Sequence, residues 1–389
     1  MSGKVLGFRF AAVSAGIRKD GRIDLALAAS DHPAVTAALF TRNLVKAAPV
    51  LIATERARAG VSRAVLANAG CANAVTGEQG LSAARETTAA VAKALGISAE
   101  EILPASTGVI GAHLPVAQIA AQAAALADKL AAESHEDFAL AICTTDRWTK
   151  IAEADAEGAR VMAIGKGAGM LHPDVGPPHA TMLVFIFTDA VVEQAVLARA
   201  LTCASDLTFN ACSVDGDTST NDTVIAMASG ASGKSPGEAA LTAALTKVCD
   251  ELARSMVADG EGANHVAEIR VKGLASRADA KVAAKTIATS LLVKTMLFGE
   301  DANWGRLLAA AGRAGVAFDP RRAAISVGDI AIVKDGMPIG AEAEKRANEI
   351  LKRPSFDITL TLGDGPGEFR YLTSDLGHGY VDVNAGYRS

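Results

Sequence analysis

Aromatic side chains are scarce, at 4% of 389 residues, so any core must be built mostly from Ala, Val, Leu and Ile. Cysteine is sparse too. The five cysteines (Cys71, Cys143, Cys203, Cys212, Cys249) are odd in number, widely scattered and never arranged as CxxC. That excludes a disulfide framework and reads as reduced thiols in a cytoplasmic protein. No surplus of positive charge exists: the formal net charge is −5, which argues against nucleic acid as the main partner. The apolar run Met182–Phe187 is too short for a membrane span. The first residues, Met1–Phe10, carry charges where a signal peptide needs an apolar core, so export is not expected. What remains is a chain that is 50% apolar, rich in Ala and Gly, and long enough for two domains.

The most informative stretch is residues 161–190. A glycine-rich loop carrying Lys166 runs through Lys-Gly-Ala-Gly-Met170 into a Pro/Gly/His segment, and Ala180-Thr181 then opens a run of strand formers stopped by Asp189. Pro177 and Pro178 restrict the approach to that strand. A threonine freed at the head of a buried strand can use its own α-amine as the base for its hydroxyl. An Ala-Thr pair before a strand is unremarkable alone, because Thr is a favoured strand residue.

Phe8 and Phe10 alternate with Arg9, and Ile23, Leu25 and Leu27 alternate across Asp24 and Ala26, which predicts half-buried strands. Ala64–Ala67 leads into a tight Asn/Gly loop over residues 68–74, whose Cys71 has no sequence-local base and reads as inert. Leu81, Ala84, Thr88, Val91 and Leu95 recur at helical spacing, with Gly96 just past the C-cap and Ser98/Glu101 as a capping box. The strand from Ile102 ends in Ser-Thr-Gly. A Thr-Gly pair leaving a strand can present a hydroxyl and an N–H to one point, as an oxyanion requires.

Helices are expected over Leu114–Ala132, Val192–Ala204, Gly237–Ala258 and Ala341–Leu351. Phe138–Cys143 reads as apolar core leading to Thr144-Thr145-Asp146 and Lys150. Asp215 to Thr223 starts like a calcium loop, but Thr220 stands where Gly is required and Ala226 where the bidentate Glu belongs. Gly230–Ser235 approaches a phosphate loop, yet Ala228 replaces its first glycine. Glu261, flanked by glycines, can hold an ammonium group. His265 and Glu268 lie three apart on a strand, which disfavours a metal pair. Ile325–Val333 with the Asp335-Gly336 turn suggests a hairpin, Phe356, Ile358, Leu360 and Leu362 alternate strictly, and Gly363–Gly367 is a turn rather than a dinucleotide loop. The tail is β-rich.

Taken in order, these segments resemble the ornithine acetyltransferase family across nearly the whole chain, from Asn68 to Ser389. The matching text includes Ser106–Gly111, Thr144–Asp146, Lys166–Met170, Ala180–Leu183, Asp217–Thr223, Asp259–Ala263 and Lys294–Arg306. The chain departs from the family's usual pattern in a longer Asp174–His179 loop, in Asn264-His265 for Thr-Lys, and in a final Ser389 for Thr. The resemblance implies an α/β protein, an α+β layered sandwich of the ornithine acetyltransferase and DmpA-like fold. It implies cleavage between Ala180 and Thr181 into an α-chain (residues 1–180) and a β-chain (residues 181–389). Two of each are expected to assemble as a heterotetramer in the cytoplasm.

The implied activity moves an acetyl group from N2-acetylornithine to glutamate in arginine biosynthesis, and some members also take it from acetyl-CoA. Thr181 would be the nucleophile, Thr107 and Gly108 the oxyanion hole. Thr144, Thr145, Lys166, Glu261, Asn384 and Ser389 would bind substrate, with Lys166 facing the shared α-carboxylate. No cofactor, metal, nucleic acid or membrane is expected, with acetyl-CoA at most a co-substrate. The alternative is a self-cleaving amidase or aminopeptidase, in which water replaces glutamate at the same Thr181.

Overall fold

The computed structural model describes residues 4–176 and 182–386; Ala180, Thr181 and Ser389 lie outside them. The described residues pack as two compact units, 4–176 and 182–210 with 217–253, and 211–216 with 254–386. The expected division at 180/181 is one of covalent continuity, which packing does not test.

The first unit begins with β1 (Phe8–Val13), β2 (Leu25–Thr41), α1 (Ala48–Ala57), β3 (Val61–Cys71), α2 (Gly77–Leu95) and β4 (Ile102–Val109). It continues with α3 (Val116–Asp128), α4 (His135–Ile142), β5 (Lys150–Ala156), β6 (Ala159–Lys166), β7 (Val175–Gly176), β8 (Leu183–Thr188) and α5 (Gln194–Leu207). After β9 (Cys212–Ser213), which belongs to the second unit, β10 (Thr223–Ala228) returns to the first, and α6 (Glu238–Ala258) leads out of it. Its mixed sheet runs β4-β3-β2-β10-β8-β6-β5, with β1 and β7 also paired to β2. The pairs β3/β4 and β8/β10 are parallel.

Alternation along β2 sorts its side chains into two cores. Leu25 and Leu27 join Leu66, Val91, Ile102, Ile119 and Leu126. Ala26 and Ala28 join Phe8, Phe10, Val65, Leu103 and Phe138 on the other face. Here the expectation of a half-buried strand is corrected: β2 opens with six consecutive buried residues. Alanine contributes little to an amphipathic pattern, yet it is small enough to be covered by a second layer. Even Asp24 is buried, its carboxylate accepting the Ala15 and Arg18 backbone N–H groups at 2.7 and 2.8 Å. The few aromatics are concentrated: Phe10 meets Phe138 and Phe187 edge-on, with ring centroids 5.9 and 5.0 Å apart.

Some boundaries move for identifiable reasons. The helix expected to reach Ala132 stops at Asp128, because the Ala131 backbone pairs with Phe10 as a β-bridge. Phe138–Ile142 lies in α4. Lys166 ends β6 instead of riding in a loop, and is only 7% exposed. The helix α2 closes as expected on Gly96, left-handed at φ 67°, and the Ser98/Glu101 capping box is present.

The second unit comprises β11 (Val266–Gly273), α7 (Arg277–Ala288), α8 (Leu291–Phe298), α9 (Trp304–Gly312), β12 (Ala324–Val327), β13 (Ile330–Lys334) and β14 (Met337–Pro338). It ends with α10 (Ala341–Leu351), β15 (Ser355–Thr361), β16 (Gly365–Ser374) and α11 (His378–Gly386). Its sheet order is β14-β13-β12-β15-β11-β16-β9. Phe356, Ile358 and Leu360 are buried in alternation, as their spacing predicts. Asp335-Gly336 turns between β13 and β14, with φ of 52° and 73°. Gly363–Gly367 joins strands that flank β11 on opposite sides. The connection therefore passes the end of β11 so closely that a Cβ on Gly273 would meet the Gly363 carbonyl oxygen at 2.1 Å. The β-rich tail finishes on a helix, α11.

Among the described residues no helix is long and apolar enough to cross a membrane. In the first unit, buried Asn221 ties the approach to β10 to the ends of β3 and β4. Its Nδ2 donates to the Ala72 and Ser106 carbonyls at 2.6 and 2.8 Å. Asn221→Ala strands both buried acceptors and should cost on the order of 2–4 kcal/mol in urea unfolding. A cost below about 0.5 kcal/mol, the scale of an ordinary surface change, would contradict this bracing role.

Candidate active site

Site chemistry in the first unit gathers at the ends of β4 and β6. Parallel pairing with β3 sets Ser106, Thr107 and Gly108 opposite Asn68, Ala69 and Gly70. Ser106 Oγ donates to Asn68 Oδ1 at 2.6 Å, and Asn68 Nδ2 donates to the Cys71 carbonyl at 2.9 Å. Gly108 takes φ 131°, and a Cβ there would lie 2.4 Å from the Gly70 carbonyl carbon. Only glycine permits so close an approach of two backbones.

Lys166 draws the site hydroxyls together. Its Nζ donates to Thr107 Oγ1 at 3.1 Å and to Thr144 Oγ1 at 2.8 Å. Behind it stands Asp146, a site residue that the Thr-Thr-Asp motif does not by itself reveal. The Asp146 and Lys150 side chains are both fully buried, and Lys150 Nζ donates to Asp146 Oδ1 at 2.7 Å. The same oxygen accepts the Gly167 N–H at 2.8 Å, and Oδ2 accepts the Thr144 N–H at 3.0 Å. Lys166 Nζ lies 4.0 Å from Oδ2. Burial would push the Asp146 carboxyl up, but Lys166, Lys150 and the Gly167 N–H outweigh it and hold the pKa at about 2. One carboxylate thus faces two buried ammonium groups. Of these two ammonium groups, Lys166 is the one that also reaches Thr107 and Thr144. The signal in the sequence was Asp146 and Lys150 four apart.

Thr145 is half-buried next to Thr144. Lys166 pairs with Leu183, the first residue of β8, so the cationic cluster borders the head of the strand that follows position 181. Thr223 closes the other side of that head, its N–H donating to the Met182 carbonyl at 2.6 Å. Cys71 is buried, and burial pushes its thiol pKa up, in line with an inert cysteine.

The second unit brings two further expected residues together. Asn384 Nδ2 donates to Glu261 Oε2 at 2.8 Å and to the Tyr380 carbonyl at 3.0 Å. Gly262 allows this, since a Cβ there would meet the Tyr380 nitrogen at 2.2 Å. The loop after Glu261 is pinned by Asp375, which accepts the Asn264 and His265 N–H groups at 2.8 and 3.0 Å. Beside it Lys294 is buried and donates to Thr373 Oγ1 at 3.0 Å and to the Ser374 carbonyl. Burial lowers its pKa to about 8, against the opposing pull of Asp375 and Asp215. His265 and Glu268 do not form a pair: His265 Nδ1 meets the Arg353 carbonyl at 2.9 Å, while Glu268 binds Arg254 and Arg270. Among the described residues no group of three His, Cys, Asp or Glu is placed to hold a metal.

Two α/β units, with a hydroxyl-rich cationic cluster at a strand head, match the layered fold expected of an ornithine acetyltransferase. The comparisons with known proteins agree. The sequence profile of the ArgJ family matches residues 9–389, and the chain belongs to that family. It is similar to the arginine biosynthesis bifunctional protein ArgJ of Geobacter sulfurreducens, 46% identical over 395 residues, covering 99% of this chain and 100% of the relative. The protein of the same name from Desulfotalea psychrophila is 47% identical over 396 residues, covering 99% and 100%. A crystal structure of the Bacillus halodurans bifunctional protein is 37% identical with a TM-score of 0.50, covering 52% of this chain and 98% of that one. The chain is an acetyltransferase of arginine biosynthesis.

The Asp146 cluster has a pH signature. Its carboxyl is depressed from the ordinary 3.8 to about 2. The stability it contributes is therefore full above about pH 4 and lost as pH falls toward 2, an amount of about 2 kcal/mol. Asp146→Asn should be less stable at pH 6 and should show a shallower loss of stability between pH 4 and 2. Parallel acid profiles of the two proteins would refute the charge account.

Proposed function

We propose that the chain cuts itself between Ala180 and Thr181 and moves an acetyl group from N2-acetylornithine to glutamate through an ester on Thr181. The observation that carries this reading is the Lys166–Leu183 pairing, which sets a buried ammonium and two hydroxyls against the strand that Thr181 precedes by two residues. The Bacillus halodurans chain, matched over 98% of its length by 52% of this one, is what a relative made of two cut chains would look like. Two α and two β chains, assembled in the cytoplasm, complete the reading.

The chemistry follows from ordinary pKa values. A free α-amine titrates near about 7.7–8.0, so a useful fraction is neutral at physiological pH. It accepts the Thr181 hydroxyl proton as that oxygen attacks the acetyl carbonyl. Thr107 and the Gly108 N–H receive the oxyanion, and the tetrahedral intermediate collapses as the Thr181 α-ammonium gives that proton to the departing ornithine α-amine. Glutamate's neutral amine then attacks the ester, the Thr181 α-amine takes the proton it sheds and passes it to Thr181 Oγ, and the Thr181 hydroxyl is restored as N-acetylglutamate leaves. Lys166 offers its remaining N–H and its charge to the α-carboxylate that both amino acids carry. Glu261, with Asn384 and Ser389, offers an acceptor for the ornithine side-chain ammonium. Acetyl-CoA serves the same Thr181 as an alternative donor, which the word bifunctional in the relatives' names supports.

One nucleophile serving two amino acids in turn requires ping-pong kinetics. Double-reciprocal plots against acetylornithine at several glutamate concentrations should be parallel, and without glutamate the acetyl group should stay on the peptide that starts at Thr181. Rapid release of ornithine and acetate without glutamate would make water the normal acceptor and the protein an amidase. On the same assay, Glu261→Gln should impair acetylornithine more than acetylglutamate as donor, on the order of tenfold for one lost charged hydrogen bond. Equal losses on the two donors would remove the ammonium role from Glu261.

A further inference from the structure

We propose that Lys166, held by Asp146, is a positioning residue for the Thr107 hydroxyl and acts in the transition state as well as in substrate binding. The inference rests on the reading of Thr107 as an oxyanion donor and goes one step behind it. A threonine hydroxyl carries one proton and two acceptor lone pairs. Lys166 Nζ donates to Thr107 Oγ1 at 3.1 Å, so one lone pair is occupied by an ammonium hydrogen. The Thr107 proton is repelled from the ammonium and turns away from it. A hydroxyl that accepts a charge-assisted bond is polarised, and it becomes a stronger donor to a developing negative charge. An undirected hydroxyl would have to reorganise at the moment of reaction, whereas this one is set beforehand.

Asp146 makes the arrangement rigid. It accepts from Lys150 Nζ, the Gly167 N–H and the Thr144 N–H, which fixes the residue after Lys166 and the residue that presents the second hydroxyl. Lys166 Nζ in turn donates to that hydroxyl, Thr144 Oγ1, at 2.8 Å. Asp146 holds Lys150 at 2.7 Å and Lys166 at 4.0 Å, so the Lys166 ammonium is free to approach the hydroxyls and stands one hydroxyl away from where the oxyanion would form. A side chain that only read a carboxylate would not need two hydroxyl partners and a fully buried counter-ion behind it.

A double-mutant cycle on the processed two-chain enzyme tests this, with kcat and KM measured for acetylornithine and for monoacetyl-1,4-diaminobutane, the same donor without its α-carboxylate. Lys166→Met should lower kcat on the order of 100-fold with both donors, the scale of losing one oxyanion donor. Thr107→Val should do likewise, and the double variant should be no slower than about the worse single variant. Asp146→Asn should lower kcat in the wild-type background and change little in the Thr107→Val background. Multiplicative losses, or a Lys166→Met enzyme with raised KM for acetylornithine and intact kcat, would overturn the proposal while leaving the oxyanion reading standing. Thr107→Val at wild-type kcat would remove the oxyanion reading and the proposal with it. Should Lys166→Met not fold or not be cut, the cycle of Asp146→Asn with Thr107→Val carries the same test.

Discussion

A single buried carboxylate organises the chemistry of the first unit. Asp146 compensates Lys150 directly, at 2.7 Å, and Lys166 at longer range, 4.0 Å. Taking two ammonium groups out of water costs several kcal/mol each unless an anion and hydrogen bonds replace the lost hydration. Without Asp146 the lysines would have to neutralise or move, and the hydroxyls of Thr107 and Thr144 would lose their common donor. This cluster holds one anion for two cations, which leaves the end of β6 positively charged.

The second unit solves a similar problem with the opposite bias. Buried Lys294 is met by the Thr373 hydroxyl, the Ser374 carbonyl and the field of Asp375 and Asp215. Asp375 then pins the backbone after Glu261, and Gly262 leaves room for the start of α11, from which Asn384 reaches Glu261. The Glu261 carboxylate is met by the neutral Asn384 amide, while the backbone that follows it is held by Asp375.

Short-range features were legible in the sequence because their causes are short-range. Strict alternation at Phe356, Ile358 and Leu360, the left-handed Gly96 and the Ser98/Glu101 capping box all follow from local geometry. The burial of β2 on both faces was not legible, since Ala26 and Ala28 look neutral until helices are known to cover them. Lys166 read as a loop residue because the following glycines hide the end of β6. Asp146 was passed over for its neighbouring threonines. Its importance depends on Lys166, 20 positions away and joined to it only by the β5–β6 hairpin. The Glu261–Asn384 bond spans 123 positions, and the resemblance to a family, not any local pattern, is what links those two residues in the sequence.

The account turns on the bond between Ala180 and Thr181, and denaturing mass spectrometry of the purified protein tests it most directly. Two polypeptides should be found, the second beginning with Thr181, while Thr181→Ala should yield one full-length chain. A wild-type protein that transfers acetyl groups with that bond intact, or a Thr181→Ala chain that still splits there, would contradict the account.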